Sequence, residues 1–237
     1  MSEVMVPNLP HFRPGTHQRG EDTYRRILDA AIAMFADEGY EGASTRMLAE
    51  RAAVNLPAIQ YYFGSKEGLY RAAIEHIGNF VDDRMAAHTA HVMAALERKD
   101  VGETELFALL FEMLDGFIDL ITCSDTPPSA ALLIARAEIE NAAALEVLQQ
   151  RVRDLVFLPC IALIARLLGR AEDDEETKIR TFAIFGQALV FKNHGVKSGA
   201  CPFLGWSAVD EGRLHRLQAL LREQTEAILR AAKAKTS

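Results

Sequence analysis

Three helix starts follow one another in ASTRMLAERAAVNLPAIQYYFGSKEGLY, residues 43–70. Ser44 occupies an N-cap position, where its hydroxyl can accept a backbone N–H from the first helical turn. Pro57 suits the first turn of a second helix, because its missing N–H would have no helical partner there. Ser65 can cap a third helix in the same way as Ser44. The stretch therefore predicts two short helices followed by a longer one.

The second short helix, from Pro57 to about residue 63, divides into two faces. Ile59 and Phe63 are four residues apart and would pack on neighbouring helices. Small, amide and phenol groups remain outside, and these suit base edges, thymine methyl groups and phosphates. Lys66 begins the third helix, where its charge and the free N–H groups of the helix start would attract a phosphate. The arrangement is typical of a helix-turn-helix, although three short core helices fit the same periodicity.

A resemblance to a known family is carried by VNLPAIQYYFGSKEGLY, residues 54–70. This run is similar to the DNA-binding domain of TetR family transcriptional regulators, in the CecR-like branch that typically reads VNLAAINYHFG-KEGLY. The resemblance covers residues 22 to about 75. It implies a phosphate contact at the first cap, groove contacts from two helices and a backbone clamp at the lysine. The positions that match these DNA contacts are Ser44, Thr45, Arg46, Asn55, Leu56, Pro57, Ala58, Gln60, Tyr61 and Lys66.

Three positions depart from the family pattern. Ala53 stands where a corner glycine is usual, and a positive φ at this alanine would cost roughly 1 kcal/mol. Pro57 replaces an alanine or glycine, and Gln60 replaces a common asparagine. The operator sequence therefore cannot be carried over from relatives.

The C-terminal part resembles the CecR-like regulatory domain more loosely, through FGQALVFKN at 185–193 and LGW at 204–206. The resemblance implies a homodimer in which two closing helices, about 173–194 and 208–232, form a four-helix bundle with their copies. Small and apolar side chains on these helices would fill the seam between subunits, although an ordinary intramolecular core fits each of them equally well. The interface candidates are Phe182, Phe185, Gly186, Leu189, Leu217 and Leu221.

The resemblance also implies a small-molecule pocket in the helices between the DNA-binding domain and the closing pair. Apolar helices that carry isolated polar groups are the candidates for its lining, and they suggest an amphipathic or aromatic effector. Arg136 interrupts the apolar segment LLIARAEIE, which either a buried salt bridge or a ligand carboxylate would explain. The candidate ligand-binding residues are Phe107, Phe111, Met113, Phe117, Arg136, Glu140, Lys192 and His194.

Composition excludes several classes of protein. The 237 residues are 49% hydrophobic with a net charge of −7, so any basic DNA-binding face must arise from local placement. The start of the chain lacks the pattern of a secretory signal, and no apolar run approaches the ~20 residues of a membrane span, so we expect a cytoplasmic protein without a membrane partner. Cys123, Cys160 and Cys201 lie far apart, which disfavours a zinc site or disulfide framework.

Helical periodicity dominates the chain and predicts an all-α fold. We expect a flexible N-terminal arm at 1–20, a helix-turn-helix DNA-binding domain at 21–68 and a helical regulatory, ligand-binding and dimerisation domain at 69–237. No catalytic motif or cofactor fingerprint appears, and His88 and His91 have no sequence neighbour to complete a metal site, so we expect no enzyme, cofactor or metal. The predicted function is a homodimeric, ligand-responsive repressor of a palindromic operator, and the alternative is a helical scaffold that does not read DNA.

Overall fold

The computed structural model describes residues 17–122, 128–140, 142–192, 203–206 and 209–235. These residues contain ten α-helices and no strand, which confirms the all-α prediction. The helices are α1 (His17–Gly42), α2 (Thr45–Arg51), α3 (Leu56–Phe63), α4 (Lys66–Leu96), α5 (Glu103–Thr122), α6 (Pro128–Glu140), α7 (Glu146–Val152), α8 (Leu158–Leu168), α9 (Glu175–Leu189) and α10 (Glu211–Ala234).

The chain forms two compact units. Unit 1 comprises residues 1–79 and 129–148, and unit 2 comprises residues 80–128 and 149–237. The boundary expected after residue 68 falls inside α4, because the first turns of this helix pack with α1 to α3. The expected N-terminal arm lies outside the described residues up to residue 16, and α1 begins at His17.

Unit 1 is built around α1, whose apolar stripe faces α2, α3 and the start of α4. The helix breaks at Gly39, which has φ 75° and ψ 174°, before a final turn to Gly42. Apolar side chains from all four helices form the core of this unit. The largest fully buried ones include Ile27, Phe35, Leu48, Ile59, Leu69, Tyr70 and Ile74.

Unit 2 centres on α5 and α8, whose apolar faces are buried against each other and against α9 and α10. Ion pairs from Glu103 to Arg230 and Lys233 hold α10 along α5. A π-helical turn at Arg153–Phe157 joins α7 to α8. Pro159 sits in the first turn of α8, where its missing N–H disturbs no helical hydrogen bond.

The described cysteine, Cys160, is buried in α8, and burial raises the pKa of its thiol. A thiol that is buried in apolar surroundings and has a raised pKa is poorly reactive, so Cys160 contributes to packing. Cys123 and Cys201 lie outside the described residues. Within the described part of the chain, no helix is long and apolar enough to cross a membrane.

Candidate nucleic-acid interface

Three side-chain caps position the helices of the candidate interface. The Ser44 hydroxyl accepts the Met47 N–H at 3.2 Å and starts α2. The Ser65 hydroxyl accepts the Gly68 N–H at 3.0 Å and starts α4. Both caps were expected, whereas the third was not: the Asn55 side-chain oxygen accepts the Ala58 N–H at 3.0 Å and starts α3. Asn55 therefore caps α3 through its side-chain oxygen, and its amide NH₂ group takes no part in this bond.

The corner between α2 and α3 closes with two backbone hydrogen bonds. Val54 N–H donates to the Ala49 carbonyl at 3.0 Å, and Ala53 N–H donates to the Glu50 carbonyl at 3.1 Å. This pair of bonds defines a Schellman motif, whose central residue adopts the left-handed conformation that glycine favours. Here that residue is Ala53, with φ 52°, so the strain anticipated for an alanine at this corner is present.

Ala53→Gly is expected to raise the free energy of unfolding by about 0.5–1 kcal/mol, because glycine reaches a positive φ without a Cβ clash. The exposed Ala53 side chain makes no core contact that the change would remove. Urea unfolding of the two proteins measures the difference, and Ala58→Gly, inside α3, is the control that should lower stability. A lower stability for Ala53→Gly would contradict the assignment of strain to this corner.

The inner face of α3 is anchored, and this leaves the outer face exposed. Ile59 is 2% exposed, and the Phe63 ring stacks on Tyr24 of α1 with centroids 4.8 Å apart. Tyr62 packs edge-on against the same Tyr24 ring. Side chains from α2, α3 and the start of α4 then surround a shallow open concavity. Its lining is Thr45, Leu56, Pro57, Ile59, Gln60, Tyr61 and Ser65.

Five of the sequence-predicted contact residues therefore share one surface of unit 1: Thr45, Leu56, Pro57, Gln60 and Tyr61. Leu56 and Tyr61 are 50% and 58% exposed, although they are large apolar or aromatic side chains. Pro57 and Gln60 are also exposed, and Ala58 is half-buried at the edge. Two apolar groups, an amide and a phenol held outward on a short helix form a surface that can meet base edges and sugar-phosphate groups.

Two cations flank this surface. Arg46 pairs with Glu50 at 3.1 Å, and both side chains are largely exposed, so solvent screens the pair and a phosphate can compete for the guanidinium. The Lys66 ammonium lies 4.4 Å from the centroid of the Tyr40 ring. Because the chain has a net negative charge, a positive face near α3 depends on the local placement of these two side chains.

The ligand-binding candidates are distributed over both units. Phe107, Met113 and Phe117 are buried in unit 2, and Phe111 of the same helix is half-buried. Lys192 is half-buried just beyond α9, and His194 lies outside the described residues.

Arg136 and Glu140 occupy a different place from the one expected. Both belong to unit 1, where Arg136 donates to the Asp37 carbonyl at 2.9 Å and Glu140 accepts the Tyr40 N–H at 3.2 Å. Their polar groups are committed to the backbone of α1, about a hundred residues earlier in the chain. We therefore no longer propose these two residues as ligand contacts.

The candidate dimer-interface residues divide into buried and exposed side chains. Phe185, Leu217 and Leu221 are at most 5% exposed within one chain, which removes them from a subunit surface. Phe182 and Leu189 are 54% and 49% exposed, and Gly186 between them is half-buried. Four further exposed apolar residues on or just after these helices were missed, because α9 and α10 carry apolar side chains on two faces and periodicity does not rank them. They are Ile179, Val190, Leu220 and Ile228.

The two histidines spaced for a metal, His88 and His91, share a carboxylate instead. Their Nδ1 atoms lie 2.8 Å and 2.9 Å from the two oxygens of Glu112 on α5. Burial alone would raise the pKa of Glu112, but the hydrogen bonds from the two histidines outweigh it and lower that pKa. In the part of the chain that the structure describes, no cluster of three or more His, Cys, Asp or Glu side chains could hold a metal.

Comparison with known families agrees with this geometry. The model of the family "Bacterial regulatory proteins, tetR family" matches residues 27–73, which contain the capped helices. The model of the "HTH-type transcriptional dual regulator CecR, C-terminal domain" matches residues 106–232, which include most of unit 2 and residues 129–148 of unit 1.

One curated relative and two solved structures place these matches in context. The HTH-type transcriptional dual regulator CecR of Shigella flexneri is 28% identical over 198 residues, 84% of this chain and 87% of its own. The fatty acid degradation regulator FadR of Bacillus halodurans is 17% identical, with a TM-score of 0.53 over 86% of this chain and 94% of its own. AibR, solved with isovaleryl coenzyme A and operator DNA, is 16% identical, with a TM-score of 0.53 over 84% and 97%. At these identities the two structures establish a shared fold.

Proposed function

Because the chain belongs to the TetR family of transcriptional regulators, with a CecR-type C-terminal domain, we propose that it is a homodimeric repressor that a small molecule releases from a palindromic operator. Members of this family regulate transcription and are not enzymes. The observation that carries the proposal is the outer face of α3, where Leu56 and Tyr61 are half-exposed while Ile59 is anchored in the core.

In the proposed complex α3 enters the major groove and α2 crosses the phosphate backbone. Gln60 reads a base edge through its amide, which can donate and accept at once. Tyr61, Ser44 and Lys66 contact phosphates, and Arg46 exchanges Glu50 for an acceptor on a base edge in the groove. Thr45, Asn55, Leu56, Pro57 and Ala58 line the approach to the groove and complete the proposed contact set.

Dimerisation follows from the small size of one reading helix. A single α3 buries too little surface to select a site, whereas two copies held ~34 Å apart read half-sites one DNA turn apart. The exposed apolar side chains on α9 and α10 support this assembly, because α9 alone presents Ile179, Phe182 and Leu189 to solvent in one chain.

Release by a small molecule is proposed by analogy with AibR, which was solved with isovaleryl coenzyme A and operator DNA. The effector would contact side chains of α5 and of the segment after α9. We retain Phe107, Phe111, Met113, Phe117, Lys192 and His194 as candidates, and their composition suggests an amphipathic or aromatic molecule. An effector that changes the separation of the two reading helices lowers operator affinity without touching DNA. A regulator of this kind would act in the cytoplasm.

The competing function is a helical interaction protein that keeps the fold without reading DNA. The net charge of −7 and the Arg46–Glu50 pair favour it, since both oppose approach to a polyanion. Selection of bound duplexes from a random DNA pool, followed by affinity measurement at two salt concentrations, separates the two functions. Enrichment of a palindrome with strong salt dependence supports the regulator, and failure of the folded dimer to enrich any sequence supports the interaction protein.

Substitutions in the interface are expected to divide into two groups. Lys66→Ala and Tyr61→Ala should weaken binding to all sequences, and Lys66→Ala should reduce the salt slope by about 1 for each subunit. Gln60→Ala and Arg46→Ala should relax sequence preference at particular positions, by about 1–3 kcal/mol for each lost base contact. Competition binding with point-mutated operators measures both effects. Arg153→Ala is the control, since it removes an exposed cation from unit 2, and it should change neither quantity.

A further inference from the structure

The backbone break at Gly39 is held by one pair of side chains from α6. A break in a helix leaves neighbouring N–H and carbonyl groups without helical partners. Here Glu140 accepts the Tyr40 N–H at 3.2 Å, and Arg136 donates to the Asp37 carbonyl at 2.9 Å. The two side chains also pair with each other at 3.4 Å. The Arg136–Glu140 pair therefore fixes the backbone on both sides of the break.

The fit between this pair and Gly39 is close. A Cβ added at Gly39 would lie 2.9 Å from one Glu140 carboxylate oxygen and 3.0 Å from the Arg136 Nη1 atom. Glycine is thus required at this position for two reasons. The backbone has a φ of 75°, and the Arg136 and Glu140 side chains occupy the space that a Cβ would need.

Tyr40 directly follows Gly39 in this fixed backbone, and its ring packs against two other aromatic side chains. It packs edge-on against Tyr70 at 5.0 Å and stacks on Phe35 at 6.1 Å between centroids, and both of these rings are buried in the core of unit 1. The Lys66 ammonium lies 4.4 Å from the Tyr40 centroid, inside the range in which a cation is attracted to an aromatic face. The ring thus links a rigid core to the first side chain of α4.

The neighbouring carboxylate does not compete for this lysine. Glu67 follows Lys66 in the chain but pairs with Arg71 at 2.7 Å, one turn further along α4. Lysine has a flexible four-carbon stem, so without the contact to the Tyr40 ring the ammonium of Lys66 would sample many positions around the helix start. The Tyr40 ring confines it to the side of α4 where the N-terminal turn begins.

We propose that Tyr40 is a positioning residue that aims Lys66 at the DNA backbone, and that the Arg136–Glu140 pair of α6 sets the position of Tyr40. This inference rests on the proposed function, because it takes Lys66 as a phosphate contact. It gives Arg136 and Glu140 a role in DNA affinity although neither lies on the reading surface. A shift of α6 at Glu140 would therefore be transmitted to Lys66 through Tyr40.

The test uses the full-length protein, the operator selected from the random pool, and binding measured across a range of salt. Tyr40→Leu removes the aromatic face and should lower affinity by about 3–10-fold and flatten the salt slope toward that of Lys66→Ala. Tyr40→Phe keeps the face and should retain both quantities. Glu140→Ala should lower affinity in the same direction, and Tyr40→Leu combined with Lys66→Ala should bind no more weakly than Lys66→Ala alone.

The outcomes separate the two proposals. If Lys66→Ala leaves affinity and salt slope unchanged, the phosphate contact of the proposed function is wrong and the role of Tyr40 falls with it. If Lys66→Ala weakens binding while Tyr40→Leu does not, the positioning role alone is overturned. NMR of the unbound wild-type protein supplies a readout that needs neither DNA nor a folded Tyr40→Leu variant: the Lys66 Hε protons should be shifted upfield by the ring, and unshifted signals would also overturn the proposal.

Discussion

Phe182→Glu is expected to convert the proposed dimer into folded monomers and to lower operator affinity by at least about 100-fold, since each monomer then holds one reading helix. Phe182 stacks on Phe157 with centroids 4.5 Å apart, yet 54% of the residue stays exposed on the outer face of α9. Burying a glutamate between two copies of this face leaves a charge without a partner, which strongly opposes association. Sedimentation equilibrium measures the assembly, and duplex binding measures the consequence.

Two further variants make this result specific to α9. Met93→Glu changes a residue of α4 that is 49% exposed, and it should leave the assembly intact. Phe185→Glu places a charge where the native side chain is 1% exposed against Phe117 and Phe157, so it should unfold unit 2 rather than separate subunits. A Phe182→Glu protein that remains dimeric would exclude this face of α9 from the interface.

Gly68→Ala is expected to destabilise unit 1 by about 1–3 kcal/mol and to weaken DNA binding through the start of α4. A Cβ built on Gly68 would overlap the carbonyl oxygen of Phe63, the last residue of α3. That oxygen belongs to the backbone and cannot rotate away as a side chain would. The clash also strains the bond from the Gly68 N–H to the Ser65 hydroxyl, which caps α4.

The sign of this effect is opposite to that of helix propensity, which favours alanine over glycine by about 1 kcal/mol inside a helix. Gly212→Ala in the first turn of α10 is the matched control, because its added Cβ would meet the Asp210 carboxylate at an ordinary 3.6 Å. It should leave stability unchanged or slightly raised. Urea unfolding of both variants measures the contrast, and a Gly68→Ala protein as stable as the wild type would mean that α3 moves freely relative to α4.

The caps at Ser44 and Ser65 and the inward turn of Ile59 were all predictable from the sequence, as was the family. Each depends on contacts within a few residues, where residue type and spacing determine the hydrogen bond or the buried face. The candidate surface on α2, α3 and the start of α4 could be proposed for the same reason, since these elements are consecutive and joined by short corners.

Other features depend on residues distant in the sequence, and only the tertiary structure decided them. Phe182 and Phe185 lie three residues apart on an apolar helix, and the packing of α5 and α8 against α9 determines that Phe185 is buried while Phe182 stays exposed. Arg136 and Glu140 resembled ligand contacts because they are charged residues in a largely apolar segment, and their own i,i+4 pair does not reveal their other partners. Their partners are backbone groups on either side of Gly39, about a hundred residues earlier, and only folding brings these groups together.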